Sequence, residues 1–243
     1  MRYAILGDIH SNWDALDAVL RHLDGQEVDR VCCVGDVVGY GAQPDKCTRW
    51  VRENDIVCVA GNHDRSVVGK LDLGYFNRHA REAVEWTRRK LSIANAEFLA
   101  GLPLCQVVNN LTLVHSTVNE PDAFGYIETV FAAQLSFHAM STPVGFIGHS
   151  HVPIAFMETG TQDSVTYSHS TELDLRNVHK TIINVGSVGQ PRDDDPRACC
   201  CVYDSEAQTA EIHRVEYPVE VAQTKIRRVG LPELLAARLE LGR

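Results

Sequence analysis

The chain has 243 residues, of which 44% are hydrophobic and 23% are charged, and its formal net charge at pH 7 is -9. This composition is typical of a globular protein that is long enough to bury its own core. The acidic balance argues against a surface dedicated to duplex nucleic acid, and no apolar run is long enough to span a membrane, so we expect neither as a partner.

The eight cysteines include no C-x-x-C pair, and most of them lie inside apolar runs. We interpret them as buried thiols in strands, with neighbouring cysteines on opposite faces of a sheet. Free thiols indicate a reducing compartment, and the first residues do not resemble a signal peptide. The sequence therefore predicts a cytoplasmic protein, with one domain over residues 1–243.

In the first part of the chain, short apolar runs alternate with helical patterns. Strands are predicted at 3–6, 31–34 and 56–60, and helices at 13–23 and 44–51. Alternation of this kind predicts an α/β layered fold, with ligands bound at the carboxyl ends of the strands.

The rest of the chain adds more strands than helices. Residues 77–101 are predicted to be helical, 104–108 and 111–114 to form a hairpin, and 128–138 to form a helix. Whether 116–138 covers a site as a lid or forms a plain surface segment stays open. Further strands are predicted at 144–147, 153–157, 165–167, 180–184, 198–203 and 210–215, followed by helices from 219 to the end. The whole pattern predicts two sheets stacked face to face with helices outside.

Polar side chains follow several of the predicted strands, each time beside a glycine. Gly148-His149-Ser150-His151 follows the strand at 144–147, and strand alternation would place both imidazoles on one side. Similar groups occur upstream, and together they supply seven candidate metal ligands: Asp8, His10, Asp36, Asn62, His115, His149 and His151. Taken singly, an aspartate here could be a helix N-cap and a histidine could be structural. Their recurrence at strand ends favours a metal site.

Carboxylate, imidazole and amide ligands suit two divalent transition ions, with manganese first and iron, zinc, nickel or cobalt as alternatives. Two ions about 3.5–4 Å apart can bind both the attacking and the leaving oxygens of a phosphoryl displacement, and can lower the pKa of bound water from 15.7 to about 7. A shared carboxylate offsets the repulsion between the ions, and Asp36 is the natural bridge. His63 could protonate the leaving oxygen, oriented by Asp64.

The ordered set of motifs resembles the calcineurin-like metallophosphoesterase superfamily. The motifs that carry the resemblance are Asp8-x-His10, Gly35-Asp36, Gly61-Asn62-His63-Asp64, His115 and Gly148-His149-x-His151. The resemblance implies a four-layer α/β/β/α sandwich with two mixed β-sheets and a dinuclear metal site. It implies that Asp8, His10, Asp36 and His151 hold one ion, and that Asp36, Asn62, His115 and His149 hold the other. It also implies that His63 is the proton donor, with Asp64 as its partner.

The sequence departs from some members of that superfamily at a position that matters for substrate. Protein phosphatases and diadenosine-tetraphosphate hydrolases carry Asp-Arg-Gly after the second motif, whereas this chain has Gly39-Tyr40-Gly41. Their phosphate-binding arginine is therefore missing, and Arg192 is the candidate replacement because a guanidinium binds phosphate bidentately. The alternative is that Arg192 is a surface arginine in an acidic loop.

We therefore predict a metal-dependent phosphoesterase, which acts on mono- or diesters of a small molecule or a nucleotide; the oligomeric state is left open. Three alternatives remain: a catalytically silent scaffold with this fold that binds proteins, a phosphoprotein phosphatase, and a regulatory nucleotide-binding module. A scaffold is expected to have lost ligands or the catalytic histidine, and this chain retains all seven ligands and His63.

Overall fold

The structure is a computed structural model, and it describes residues 1–160 and 164–243. The strands in these residues are β1 (Arg2–Leu6), β2 (Arg30–Cys33), β3 (Val57–Cys58), β4 (Cys105–Val108), β5 (Leu111–Val114), β6 (Val144–Ile147), β7 (Ile154–Thr159), β8 (Ser164–Ser168), β9 (Glu172–Asp174), β10 (Lys180–Asn184), β11 (Ala198–Asp204) and β12 (Thr209–Val215). The helices are α1 (Trp13–Leu23), α2 (Pro44–Glu53), α3 (Asn62–Val67), α4 (Arg78–Arg88), α5 (Ile93–Gly101), α6 (Val130–Ala139), α7 (Val219–Arg228) and α8 (Glu233–Leu241), with a 3-10 turn at Leu73–Tyr75.

The strands form two six-stranded sheets. The first has the order β3-β2-β1-β11-β12-β9, and the second has the order β4-β5-β6-β10-β7-β8. Strand β1 pairs in parallel with β2 and antiparallel with β11. Strand β10 pairs in parallel with β6 and antiparallel with β7. Both sheets are therefore mixed, as the resemblance implied.

Apolar side chains from the two sheets meet in one buried layer. Ile5 and Cys32 of the first sheet belong to the same core as Leu113, Phe146 and Ile183 of the second sheet. Most of the helices cover the outer face of the first sheet, while α6 packs on the outer face of the second. The predicted four-layer α/β/β/α sandwich is confirmed.

Neighbouring cysteines show how the layers are divided. Cys32 faces the core between the sheets, whereas Cys33 faces the core beneath the helices. Side chains alternate across a strand, so one Cys-Cys pair contributes to two cores. All eight cysteines are free. The prediction of buried thiols in strands is wrong for Cys105, which is exposed on β4, and for Cys47, which is buried but lies in α2.

Several element boundaries differ from the prediction. The helical stretch at 77–101 is two helices, because the chain turns after α4 and Ser92 occupies the N-cap position of α5. Helix α3 and strand β9 were not predicted, since a helix of 6 residues and a strand of 3 residues are too short to show a periodic pattern. No helix in the described part of the chain combines the length and the apolar character needed to cross a bilayer.

The carboxyl ends of β1, β2 and β6 meet at one edge of the sandwich. The loop after β1 is joined to the loop after β2 by a hydrogen bond from the Asp8 amide to the Gly35 carbonyl, 3.0 Å long. The Gly148 amide donates to the His115 carbonyl over 3.0 Å, which joins the loops after β6 and β5. All the predicted metal ligands lie in loops at this edge or, for Asn62, at the start of α3.

Candidate metal centre

Four imidazoles approach one another in two pairs at this edge. The Nε2 atoms of His10 and His151 lie 3.0 Å apart. Nδ1 of His149 lies 3.2 Å from Nε2 of His115, which in turn lies 3.1 Å from Oδ1 of Asn62. These five residues come from four separate segments of the chain, and the fold places their ligand atoms together.

The two carboxylates have one oxygen held by the backbone and one directed at the imidazoles. Oδ2 of Asp8 accepts from the His149 amide over 2.9 Å, and its Oδ1 lies 3.2 Å from Nε2 of His151. Oδ1 of Asp36 accepts from the His63 amide over 2.9 Å. Oδ2 of Asp36 lies 3.6 Å from Nε2 of His10 and 3.5 Å from Nε2 of His115, so it stands between the two imidazole pairs.

Backbone carbonyls orient three of the imidazoles. Nδ1 of His10 donates to Val38, and Nδ1 of His115 donates to Val34, over 3.0 and 2.9 Å. Nδ1 of His151 is held in the same way by a carbonyl 2.6 Å away. A carbonyl can only accept, so each Nδ1 carries hydrogen and each Nε2 is directed at the cluster. This is the usual arrangement of metal-binding histidines.

Burial and mutual charge set the protonation of the cluster. Burial is the largest effect on the imidazoles, and it lowers the pKa of His10 and His151 and takes that of His149 to about 3. Burial opposes charge on His115 as well, but the nearby carboxylate of Asp36 outweighs it and raises the pKa of His115 to about 10. For the Asp8 carboxyl, the neighbouring imidazoles outweigh burial and lower the pKa to about 2. The site is thus a buried set of anionic oxygens and imidazoles, in which His10, His149 and His151 favour the neutral form and His115 favours the protonated form.

The backbone at the centre is unusual for residues other than glycine. Asp8, His10, Asp36, His149 and His151 have φ angles of +50°, +48°, +52°, +70° and +62°. Such left-handed conformations cost on the order of 1–3 kcal/mol each and concentrate at functional sites. The strand alternation predicted for 149 and 151 is therefore wrong: both lie in the loop after β6, and they join different imidazole pairs.

Two glycines are required because of close approach to the carboxylates. A Cβ on Gly61 would collide with the Asp36 carboxylate, and a Cβ on Gly148 would collide with that of Asp8. This packing explains physically why glycine stands beside polar residues at these two strand ends.

The His63 side chain lies beside the metal ligands and lines a cavity that opens there. Its ring is buried and packs against the rings of Tyr40, Phe76 and His10, with centroids 4.4, 4.8 and 4.9 Å away. Its Nδ1 is buried and has no hydrogen-bond partner in residues 1–160 and 164–243. Burial is the main cause that lowers its pKa to about 4.

Asp64 binds the backbone instead of the His63 ring. Its Oδ1 accepts from the Val38 amide over 3.1 Å, and its Oδ2 accepts from the Gly61 amide over 3.0 Å. Burial, with the charge of Asp36, raises the pKa of Asp64 to about 7. The predicted partnership with His63 is therefore not a hydrogen bond to Nδ1; Asp64 joins the loop after β2 to the start of α3.

A cavity of about 300 Å³ opens above the centre. Its walls include Tyr40, Phe124, Tyr126 and Arg192. Arg192 therefore lies in the cavity wall, with its guanidinium carbon 5.6 Å from the Tyr40 ring centroid.

Sequence analysis missed two parts of the wall, the segment 71–80 and Arg238 of α8. An arginine in a C-terminal helix carries no sequence signal for a site. Tyr75 and Phe76, adjacent aromatics in a polar stretch, were the only available hint.

The donor set fits divalent cations. Three overlapping groups of carboxylate and imidazole ligand atoms each lie within 4.8 Å of one another: Asp8, His10 and His151; His10, Asp36 and His63; and Asp8, Asp36 and His115. Oδ1 of Asp8 is buried and has no hydrogen-bond partner among the described residues. A buried anionic oxygen without a donor is costly unless a cation binds it.

Comparison with known proteins agrees with this geometry. The model of the calcineurin-like phosphoesterase superfamily domain matches residues 1–208. An uncharacterized protein of Methanocaldococcus jannaschii, MJ0912, is 36% identical over 244 residues, which cover 99% of this chain and 98% of that protein.

Two crystal structures are similar over the full chain. A metallophosphoesterase from Sphaerobacter thermophilus has a TM-score of 0.89 and 39% identity, covering 100% of this chain and 99% of that one. A hypothetical protein from Pyrococcus horikoshii, PH1004, has a TM-score of 0.81 and 18% identity over 100% and 98% of the two chains, which shows the shared fold. From the family match and from relatives that are 36% and 39% identical, the chain belongs to the calcineurin-like phosphoesterase superfamily.

Proposed function

We propose that this protein hydrolyses phosphate mono- or diesters with two divalent ions, manganese being the first candidate. The observation that carries the proposal is the position of Asp36 Oδ2, within 3.6 Å of Nε2 of both His10 and His115. A carboxylate oxygen in that place can bridge two cations. Members of this superfamily act on phosphate esters, and the buried cluster supports the same chemistry here.

The ligands divide into two sets that share Asp36. Asp8, His10 and His151 would complete the set of one ion, and Asn62, His115 and His149 the set of the other. When bound, the ions would neutralise phosphate charge and lower the pKa of a bound water. The carbonyls of Val34 and Val38 would keep His115 and His10 oriented, since each holds an Nδ1 hydrogen.

His63 would supply the proton to the leaving oxygen. Its Nδ1 is buried, which leaves Nε2 to act toward the cavity that the ring lines. The low pKa of about 4 belongs to the site without substrate, and a bound phosphate dianion opposes burial and favours the protonated ring. Asp64 would keep the ring in place indirectly, by holding the Gly61 amide at the start of α3.

Arg192 would bind a phosphate oxygen in place of the missing arginine. Its Nη2 donates to Oε1 of Gln190 over 3.1 Å, and its Nε is buried without a partner among the described residues. A guanidinium with a free donor beside His63 and Asn62 is suited to an anion.

The test is to strip the protein with a chelator and refill it with one kind of ion at a time. Metal content per chain and turnover of p-nitrophenyl phosphate and bis-p-nitrophenyl phosphate are then measured. We expect two ions per chain, with turnover of at least one ester. No turnover with any of manganese, iron, zinc, nickel or cobalt would refute the proposal and favour the scaffold.

We also propose that the protein is a single domain located in the cytoplasm. All eight cysteines are free, and seven of them are buried, which supports a reducing compartment.

A further inference from the structure

Two arginines in the cavity wall have no acidic side chain as a partner among the described residues. The Arg192 amide donates to the His151 carbonyl and its Nη2 to Oε1 of Gln190, while Nε of Arg238 donates to the main-chain oxygen of Arg243. Neither guanidinium pairs with an aspartate or glutamate side chain within residues 1–160 and 164–243, whereas nearby Arg197 and Arg214 are paired with aspartates. In a chain with 32 acidic and 23 basic residues, two guanidiniums that lack an acidic side-chain partner in one cavity mark a place for an anion.

The two guanidiniums lie close enough to affect each other. Burial, followed by the charge of Arg192, lowers the pKa of Arg238. Both arginines also act on the same hydroxyl: burial raises the pKa of Tyr40, and the charges of Arg192 and Arg238 oppose that rise. Two like charges that converge without an anion repel each other, so a bound anion would stabilise the pair.

The Tyr40 ring separates Arg192 from the metal ligand His10. The Tyr40 ring packs on His10 and His63 at centroid distances of 4.6 and 4.4 Å, and Arg192 lies over Tyr40 at 5.6 Å. A phosphate at the metal ligands can therefore lie near Arg192, and because Arg238 lines the same cavity, a second anionic group in that cavity can meet both guanidiniums.

Other residues of the cavity wall are aromatic and exposed to solvent. Tyr126 stacks on His149, with centroids 4.2 Å apart and an interplanar angle of 17°, and it is 51% exposed. Tyr75, at the end of the 3-10 turn, is 78% exposed, and Phe124 lies in the same wall. Exposed aromatic faces at the mouth of a cavity are stacking surfaces for a planar ring.

We propose that the cavity binds a nucleoside that carries two phosphate groups. One phosphate would lie at the metal ligands, the other between Arg192 and Arg238, and the base against Tyr75 and Phe124. The inference rests on the proposed hydrolysis for the first phosphate alone. In that reaction one water adds to the first phosphorus, the P–O bond to the nucleotide breaks, and the departing oxygen leaves with a proton.

The first test measures binding to the metal-stripped protein, so it does not depend on hydrolysis. Calorimetry compares AMP with two nucleosides that carry two phosphates, ADP and adenosine 3′,5′-bisphosphate. We expect at least one of the two to bind tenfold more tightly than AMP, and the tighter one shows whether the substrate is an anhydride or a bisphosphate ester. Equal affinity for all three would overturn the proposal.

Arg238→Gln tests the second phosphate, with Arg228→Gln as its matched control. Arg228, in the last turn of α7, is exposed and is not part of the cavity wall. We expect Arg238→Gln to reduce the affinity ratio of the two-phosphate nucleotide to AMP at least tenfold, and the control to keep it. An unchanged ratio in Arg238→Gln would refute the role of the arginine pair.

Tyr75→Ala tests the nucleoside, with inorganic pyrophosphate as the probe that lacks one. The variant should weaken nucleotide binding several-fold and leave pyrophosphate binding unchanged. Pyrophosphate that binds as tightly as ADP would overturn the nucleoside assignment. Tight binding that depends on Arg238, without turnover in the metal-loaded protein, would support the two-phosphate cavity and refute the proposed hydrolysis.

Discussion

The floor and the wall of the cavity differ in how deeply their side chains are buried and in whether their charged groups have partners. The floor consists of the seven predicted ligands, and the wall of Tyr75, Phe124, Tyr126, Arg192 and Arg238. In the floor, the carboxylates and imidazoles are buried, most of them are oriented by backbone groups, and five of the seven ligands have left-handed backbone conformations. In the wall, the Tyr75 and Tyr126 rings are exposed to solvent, and the guanidiniums have no acidic side chain as a partner among the described residues.

This difference separates the chemistry from the choice of substrate. A floor held by main-chain hydrogen bonds keeps its ligands in place before anything binds, which is what a metal centre requires. A wall with unpaired charges gains its partners only when a substrate arrives. Changes in the floor should therefore affect every substrate alike, and changes in the wall should affect substrates unequally.

The largest expected effect is that of Asp36→Asn, which tests the floor. Asparagine keeps an oxygen to accept from the His63 amide but removes the negative charge between the two imidazole pairs. We expect a loss of kcat/KM of roughly 1000-fold on every ester, together with reduced metal content measured by mass spectrometry. Asp122→Asn, at an exposed position, is the control. Full metal content and normal turnover in Asp36→Asn would disprove the bridging role.

His63→Ala should produce the next largest effect, and it depends on the leaving group. General acid catalysis contributes typically about 100-fold or more, so we expect that loss for alkyl phosphates and a far smaller one for p-nitrophenyl esters. Metal content should stay unchanged. His138→Ala, an exposed histidine on α6, provides the comparison. An equal loss for good and poor leaving groups would remove His63 from proton transfer.

Arg192→Ala should weaken substrate binding through the wall. A hydrogen bond to a charged group contributes about 1.5–3 kcal/mol, so KM should rise roughly tenfold or more, while kcat changes less. Steady-state kinetics with a single ester separates the two parameters. If both KM and kcat match the unmodified enzyme, Arg192 is a surface arginine and not a phosphate ligand.

Gly39→Ala should have the smallest effect on activity. It tests the close contact between the loop after β2 and the His63 ring. Gly39 has φ of +105°, and a Cβ there would lie 2.5 Å from Nδ1 of His63. We expect the variant to be destabilised by about 2 kcal/mol and activity to fall a few-fold. Gly69→Ala is the matched control, because Gly69 also has positive φ, at +77°, but no atom within 4 Å. Thermal unfolding should show the greater loss in Gly39→Ala.

Much of the fold could be predicted because it follows from local patterns. Apolar runs and helical spacing located most strands and helices, and glycines beside polar residues located the ligands at the strand ends. Short elements such as α3 and β9 could not be predicted, because their stability comes from tertiary packing and not from a repeating pattern. The break between α4 and α5 was missed because the residues between them, 89–92, include no glycine or proline to mark a turn.

By itself, the sequence determined which residues form the floor, since each ligand lies next to a strand that delivers it to one edge. Only the tertiary structure decided what those residues contact: the backbone partners of Asp64, the left-handed turns at His149 and His151, and the division of imidazoles into pairs. It also decided the wall, because Arg238 reaches the cavity from a helix distant in sequence from His63. A contact between residues far apart in the chain depends on the packing of whole layers, which no local pattern records.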